Sequence, residues 1–210
     1  MLKNRFGGSD FGSDEESGSL GTGATLVKLQ VALDSNWAES GNIMQTLSDL
    51  AARRGTINGR SEISSLLSDV SIALLRKQPY WNAASISGER FGSATKVEPA
   101  FQKLAIQERT KFENEVTPML LDQYKANASK PQPTQAIVSL IVAIRGKSDA
   151  LQKKISPADV VNALQSLASE ALTDEGENIL AVEVLWTPSE RGEILSERDM
   201  IADYPELIRL

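Results

Sequence analysis

Two residue types are missing from this sequence of 210 residues, cysteine and histidine. Without cysteine the chain has no disulfide, no thiolate metal ligand and no thiol nucleophile. Without histidine it lacks the usual general base near neutral pH, the base of a catalytic triad and the commonest metal ligand. These absences remove the usual catalytic and metal-binding side chains, and we predict no established catalytic residue, no metal site and no cofactor.

Positive charge is scarce as well. The chain has 22 lysine and arginine residues against 28 aspartate and glutamate residues, which gives a net charge of -6. Binding to nucleic acid depends on a basic surface that releases counterions from phosphates. The composition therefore predicts that neither DNA nor RNA is a partner.

Long apolar runs are also missing. The longest one, Ala136 to Ile144, has about half of the ~20 residues that a membrane-spanning helix needs, and Ser139 interrupts it. The first residues, Met1 to Phe6, have no apolar stretch after their charges and do not resemble a secretory signal. We therefore expect no membrane span in this chain.

What the chain does contain divides it into two parts. Residues 1–23 interleave glycine and serine with acids, a composition that buries too little apolar area to offset the entropy of ordering. This part predicts a flexible tether. Residues 24–210 have the length and apolar content of a single domain.

Three segments of the domain have the pattern of long strands. Thr25 to Leu33 alternates apolar and polar residues, which predicts a strand with one wet face. Ala136 to Ile144 is almost entirely apolar, which predicts a central strand covered on both faces. Ile179 to Trp186 predicts a third strand.

Between these strands lie several helical patterns. We expect helices that begin at a cap formed by Asn42 with Gln45, at Ser61, at Ser156 before Pro157, and at Ser196, and a long helix from Val97 onward that Pro118 interrupts. The predicted fold is α/β or α+β, a small sheet of about three long strands packed by four to five helices.

One motif resembles a nucleotide site. Gly146-Lys147-Ser148 follows the predicted central strand, where a phosphate-binding loop would lie. The motif also needs a glycine five residues before the Gly-Lys pair, and that position is Ile141, inside the strand. An ordinary turn is the better interpretation.

Without histidine, enzymatic chemistry would depend on carboxylates or lysine. Glu183, on the expected wetter face of the third strand, is one candidate, and Asp199 and Asp203 are the others. They would support a carboxylate-dependent hydrolase or a small-molecule-binding enzyme. Solvated structural acids explain them better, because no motif sets them apart.

Contact with a partner is the alternative use of exposed residues. Trp81 and Trp186 are expected in the core, while Trp37 is the tryptophan expected at the surface, where it could contact a partner. Thr187 to Pro205, with Glu206, forms an acidic flank against few arginines. The candidate partner contacts are Trp37, Glu190, Glu193, Asp199 and Asp203.

Five segments together resemble one protein family. They are residues 21–33, 74–81, 108–112, 180–188 and 203–207, which include Leu74-Leu75-Arg76-Lys77-Gln78-Pro79-Tyr80-Trp81 and Leu185-Trp186-Thr187-Pro188. The family is the glycine-rich domain of unknown function found in plants, algae and cyanobacteria, which includes the plant fluctuating-light acclimation protein. The resemblance covers the chain from about residue 20 to its end, in the same order.

The resemblance implies a place at the chloroplast thylakoid on its stromal side, or at the cyanobacterial thylakoid on its cytosolic side. For the plant member it implies a role in adjusting photoprotective energy dissipation when light fluctuates. Our first hypothesis is therefore a non-enzymatic interaction or regulatory protein that docks on a photosystem or its antenna, in light acclimation and photoprotection. An assembly factor for such a complex is an alternative. Family members carry a hydrophobic anchor before this domain, and Lys3 and Arg5 would suit the positive flank of an anchor.

Overall fold

A computed structural model of the chain describes residues 5–11, 19–36, 38–54, 59–113, 133–151, 155–188, 195 and 197–210. The strands in these ranges are β1 (Arg5–Ser9), β2 (Ala24–Asn36), β3 (Trp81–Phe91), β4 (Pro133–Arg145), β5 (Ile179–Thr187) and β6 (Ile208–Arg209). The α-helices are α1 (Ile43–Arg54), α2 (Arg60–Leu75), α3 (Ala94–Glu113), α4 (Pro157–Leu172) and α5 (Glu197–Asp203). The mixed α/β class and the number of helices expected from the sequence are confirmed.

All six described strands form one antiparallel sheet in the order β1-β5-β4-β2-β3-β6. The prediction of about three strands is therefore wrong. The three that the sequence predicts, β2, β4 and β5, form the centre of the sheet, where long apolar runs are needed to fill the core on both sides. The missed strands are β1 and β6, at the two edges, and β3, between β2 and β6.

Each missed strand lacks the apolar alternation that identifies a strand. β3 is rich in alanine and serine, carries Gly88 inside it, and leaves Ser87 to Arg90 exposed. β6 has two residues. Their strand conformation depends on pairing with neighbours, which the local sequence does not reveal.

β1 lies in the segment that the sequence predicts as a tether. Its residues pair with β5, and Gly7 lies opposite Glu183. A Cβ atom at Gly7 would lie 2.2 Å from the carbonyl oxygen of Val182, so the glycine allows the close approach of the two strands. The tether prediction fails for residues 5–11, and residues 1–4 and 12–18 lie outside the described part.

Helices cover both faces of the sheet. α1, α2 and α4 pack on one face, where the largest apolar cluster includes Leu29, Leu140 and Trp186. On the other face, α3 covers Leu26 and Ile141, and Tyr204, next to α5, covers Ala32 and Ile137. The prediction for β4, buried on both faces, is confirmed, and the predicted wet face of β2 is wrong because α3 and the C-terminal segment cover it.

Two of the predicted helix caps are confirmed. The side chain of Asn42 accepts a hydrogen bond from the Gln45 amide at 2.9 Å, and that of Ser156 accepts one from the Asp159 amide at 3.3 Å. The predicted cap at Ser61 is wrong, since α2 begins at Arg60 after Gly59. The predicted break at Pro118 and the cap at Ser196 lie outside the described residues. Of the described helices, none is long and apolar enough to cross a membrane.

Candidate functional site

A layer of polar side chains lies under the C-terminal half of α3. On the face of the sheet that α3 and Tyr204 cover, β2 is apolar at Leu26 and Ala32, but between them come Lys28 and Gln30. Lys28 is 9% exposed and Gln30 is fully buried. These are the residues that the sequence placed on a wet face, and buried groups of this kind need partners.

Glu108 of α3 supplies the first partner. Its carboxylate accepts a hydrogen bond from Lys28 Nζ at 2.8 Å and one from Gln30 Nε2 at 3.1 Å, and Lys111 Nζ lies 3.2 Å from it. Gln30 Nε2 also donates to the hydroxyl of Ser139 on β4 at 2.9 Å. Glu108 therefore joins α3 to β2, and Gln30 extends the network to β4.

Glu206 supplies the second partner of Lys28. Its Oε1 accepts hydrogen bonds from Lys28 Nζ at 2.8 Å and from Lys111 Nζ at 2.9 Å. Burial alone would raise the pKa of Glu206, but these two ammonium groups lower it from 4.5 to about 2. Burial would likewise lower the pKa of Lys28, but the hydrogen bonds to Glu108 and Glu206 raise it above its ordinary value.

Arg109 and Glu183 form a separate pair in the same layer. Arg109 Nε donates to Glu183 Oε1 at 2.8 Å, and Nη2 donates to Oε2 at 2.7 Å. This bidentate hydrogen bonding raises the pKa of Arg109. Glu183 is 4% exposed, so its expected position on a wetter face is wrong, because α3 covers that face of β5 as well.

We call these six residues the ion-pair layer: Lys28, Glu108, Arg109, Lys111, Glu183 and Glu206. Three cations neutralise three acids, and every carboxylate is engaged by at least one cation. Such an arrangement positions elements of the fold and leaves no acid poised as a general base. Among the described residues, no group of three or more acids could hold a metal ion.

Beside this layer an open groove of 650 Å³ lies between β3 and the C-terminal segment. We call it the C-terminal groove, and its described lining is Trp81, Asn82, Ala83, Gln135, Met200, Ile201, Tyr204, Pro205, Leu207, Arg209 and Leu210. Tyr204, which is buried in its floor, lies beneath Lys111, whose ammonium is 4.7 Å from the ring centroid. The same segment thus supports the groove and closes the ion-pair layer.

One side of the groove carries a polar cluster. Asn82 Nδ2 donates to Asp34 Oδ1 at 2.9 Å and to Gln135 Oε1 at 2.8 Å, and Gln135 Nε2 also donates to Asp34 Oδ1. The side-chain NH2 groups of Asn82 and Gln135 therefore donate to neighbours within the cluster. The groups that can still bind another molecule are the Asp34 carboxylate and the side-chain carbonyl oxygens, which are hydrogen-bond acceptors.

A second, smaller hollow of 290 Å³ adjoins the groove. Its described lining is Gln78, Pro79, Trp81, Pro157 and Leu210, so Trp81 and Leu210 belong to both hollows. The two hollows therefore form one continuous surface.

The turn that resembles a phosphate-binding loop is filled by the protein's own groups. Ser148 donates from Oγ to the Glu170 carboxylate at 2.8 Å, and the Asp149 amide donates to it at 3.0 Å. Burial raises the pKa of Glu170, against the effect of the Ser148 hydrogen bond. The Glu170 carboxylate therefore occupies the Asp149 amide, and the Ser148 amide donates to the Thr25 hydroxyl at 3.3 Å, so these amides are not free for a phosphate. This agrees with the prediction of an ordinary turn.

The predicted partner contacts have separate outcomes. Asp199 is exposed and Asp203 half-buried on α5, the helix that carries Met200 and Ile201 into the groove. Trp37, Glu190 and Glu193 lie outside the described residues. Trp186 is fully buried, as expected, whereas Trp81 is half-buried and lines the groove.

The sequence interpretation missed the ion-pair layer and most of the groove. A weak signal existed, because Lys28 and Gln30 interrupt an otherwise apolar strand and Glu108 to Lys111 places four polar residues in one helical turn. Those charges are typical of a solvated face. Only the position of α3 over the sheet identifies them as buried.

Comparison with known proteins gives two relatives. Protein FLAP1 homolog A of Synechocystis is 30% identical over 219 residues, an alignment that covers 98% of this chain and 63% of the relative. The FLUCTUATING-LIGHT-ACCLIMATION protein 1, chloroplastic, of Arabidopsis thaliana is 29% identical over 185 residues, which cover 87% of this chain and 46% of the relative. This chain therefore spans about half to two-thirds of the length of these relatives. No solved structure matches it.

The model of one protein family matches residues 23–210, which is almost the whole chain. That range contains β2 to β6, all five described helices, the ion-pair layer and the C-terminal groove. The family is described as a protein of unknown function, DUF1517. This chain belongs to the DUF1517 family.

Proposed function

We propose that this chain is a non-enzymatic binding domain that acts in light acclimation and photoprotection by docking on a thylakoid complex, a photosystem or its antenna. The names of the two relatives support the process, since one is a chloroplastic light-acclimation protein and the other its cyanobacterial homolog. The proposed location is the stromal side of the chloroplast thylakoid, or the cytosolic side of the cyanobacterial one.

The C-terminal groove is the observation that carries this proposal. Its described lining combines aromatic and aliphatic side chains with two amides and Arg209, and contains no aspartate, glutamate or lysine. An apolar surface open to solvent favours binding, whereas proton transfer needs a poised acid or base. The acids Asp199 and Asp203 on α5 stand beside this surface.

A carboxylate-dependent enzyme fits this arrangement less well. Glu183, its first candidate, is held by the Arg109 guanidinium in a bidentate pair under α3. It is absent from the described lining of both hollows. The Glu183 carboxylate therefore serves to hold α3, through Arg109, against β5.

Co-migration tests the proposal. The tagged chain, added to gently solubilised cyanobacterial thylakoids, is expected to co-migrate with photosystem or antenna complexes in a sucrose gradient and to remain with them on affinity capture. Co-migration with incompletely assembled complexes alone would indicate the assembly-factor alternative. Recovery entirely as free protein, at concentrations well above those of the complexes, would refute the proposed docking.

A further inference from the structure

We propose that the C-terminal groove takes a segment of a protein partner that combines apolar anchor residues with a lysine or arginine. This inference rests on the proposed binding function and adds the chemistry of the partner. It follows from the apolar lining, from the charge at the polar side of the groove, and from the shape of the surface.

The apolar surface of the C-terminal groove is partly exposed to solvent. Ile201 is 68% exposed at the groove, and Tyr80, next to the lining residues Pro79 and Trp81, is 47% exposed. Met200 and Leu207 are half-buried against the apolar cluster around Tyr204. A grouped apolar surface of this kind marks a site of association more often than a scattered one does.

Charge indicates what accompanies the apolar anchors. Asp34 lies outside the described lining and accepts hydrogen bonds from the lining amides of Asn82 and Gln135. It has no cationic partner among the described residues. Asp203 on α5 likewise has none in this part of the chain. Arg209, the cation in the described lining, already has a contact of its own. Unpaired carboxylates and spare carbonyl oxygens suit a cationic donor.

Shape favours a peptide segment over a compact small molecule. Small-molecule sites enclose most of their ligand, whereas this groove is open and continues past Trp81 and Leu210 into the second hollow. An amphipathic helix or an extended segment presents successive anchors along such a surface. The partner is therefore a segment with spaced apolar side chains and a flanking basic residue.

Direct binding of defined peptides tests the chemistry. The probes are three fluorescein-labelled peptides of equal length, one of leucine with lysine, one of leucine with glutamate, and one of serine with lysine. Anisotropy with the full chain is expected to give the tightest binding for leucine with lysine, by ~10-fold or more over each of the others. Equal binding of the lysine and glutamate peptides would overturn the role of charge.

Two variants locate the binding. Ile201→Ser is expected to weaken the leucine–lysine peptide by ~10-fold, while its control Leu172→Ser, at a 70% exposed position on α4, leaves binding unchanged. Asp34→Asn keeps the oxygen that Asn82 and Gln135 bind but removes the charge, and is expected to weaken binding by ~3-fold or more and to reduce its salt dependence. The exposed Glu98→Gln on α3 is its control.

The outcomes separate this inference from the proposed function. If Ile201→Ser and Asp34→Asn bind the peptides and co-migrate with thylakoid complexes as the unmodified chain does, the groove is not the docking site, although the docking function stands. If the unmodified chain self-associates in sedimentation velocity and Ile201→Ser abolishes this, a second copy occupies the groove and the peptide proposal is wrong. If the chain binds the leucine–lysine peptide but co-migrates with no thylakoid complex, the result supports peptide binding at the groove and counts against the proposed docking function.

Discussion

Glu206 holds the C-terminal segment to the rest of the domain, so its replacement by glutamine has a defined cost. The carboxylate accepts hydrogen bonds from Lys28 and Lys111, which come from β2 and α3. Glu206→Gln keeps an oxygen acceptor of the same size but removes the charge from both ion pairs. The loss therefore reports on electrostatics rather than on packing.

The magnitude follows from the pKa. A fall from 4.5 to about 2 corresponds to roughly 3–4 kcal/mol, at about 1.4 kcal/mol for each unit. The Glu206 side chain is 28% exposed, against 11% for Lys28, so solvent screens part of this energy. We expect Glu206→Gln to lower the free energy of unfolding by about 1–2 kcal/mol, which is roughly 2–8 °C in Tm for a domain of this size.

The pH dependence gives a second, independent measurement. A carboxyl with a lowered folded pKa contributes its full stability above the pKa of the unfolded state, near 4.5, and loses it as the pH falls toward 2. Urea unfolding followed by circular dichroism at pH 7 and pH 3 should therefore show a difference between the unmodified chain and the variant that shrinks at pH 3. Glu177→Gln is the control, since Glu177 is 62% exposed in its ion pair with Arg60 and its loss should cost less than ~1 kcal/mol.

Two results would refute this reasoning. Equal stability of Glu206→Gln and the unmodified chain at pH 7 would mean that the two ammonium groups are solvated independently of Glu206. A difference that persists unchanged at pH 3 would mean that the variant acts through packing. Either result would remove Glu206 from the ion-pair layer as a source of stability.

Further measurements test the close approach of β3 to β2 and the buried carboxyl of Glu170. Gly88→Ala is expected to lower the free energy of unfolding in urea by at least ~2 kcal/mol, because Gly88 has φ +150° and a Cβ atom there would lie 1.9 Å from the Leu26 carbonyl oxygen. The control Gly41→Ala, at φ +70° with open space around it, should lower it by about 1 kcal/mol. Equal losses for the two variants would contradict the close approach at Gly88. Because burial raises the folded pKa of Glu170, its charge costs stability as the pH rises above the unfolded value near 4.5. Stability measured from pH 5 to pH 8 should therefore shift in favour of Glu170→Gln relative to the unmodified chain, and a shift in the opposite direction would show that the carboxylate is favoured by its site.

The central strands could be predicted from the sequence because strands buried on both faces consist mainly of apolar residues. β4 needs apolar residues on both faces, and residues 136–144 supply them without a charge. The start of α4 was equally accessible, since Ser156, Pro157 and Asp159 act on the backbone of their own helix. Signals of this kind are local.

The strands β1, β3 and β6 and the ion-pair layer could not be predicted, because what defines them lies elsewhere in the chain. Lys28 is 80 residues from Glu108 and 178 residues from Glu206. A lysine in an alternating strand predicts a solvated face, and only the position of α3 and the C-terminal segment turns it into a buried one. The same dependence on distant partners explains the strand at residues 5–9.

The five segments that resemble the family acquire a shared physical meaning from the structure. Residues 21–33 supply Lys28, 74–81 supply Trp81, 108–112 supply Glu108, 180–188 supply Glu183, and 203–207 supply Glu206. Four of them contribute to the ion-pair layer, and Trp81 and the last segment, through Tyr204, line the C-terminal groove. Because Lys111 contacts both Glu206 and the Tyr204 ring, the layer and the groove share a support. A partner that moves the C-terminal segment would strain the ion pairs of Lys28 and Lys111, so binding at the groove and stability of the layer should be linked.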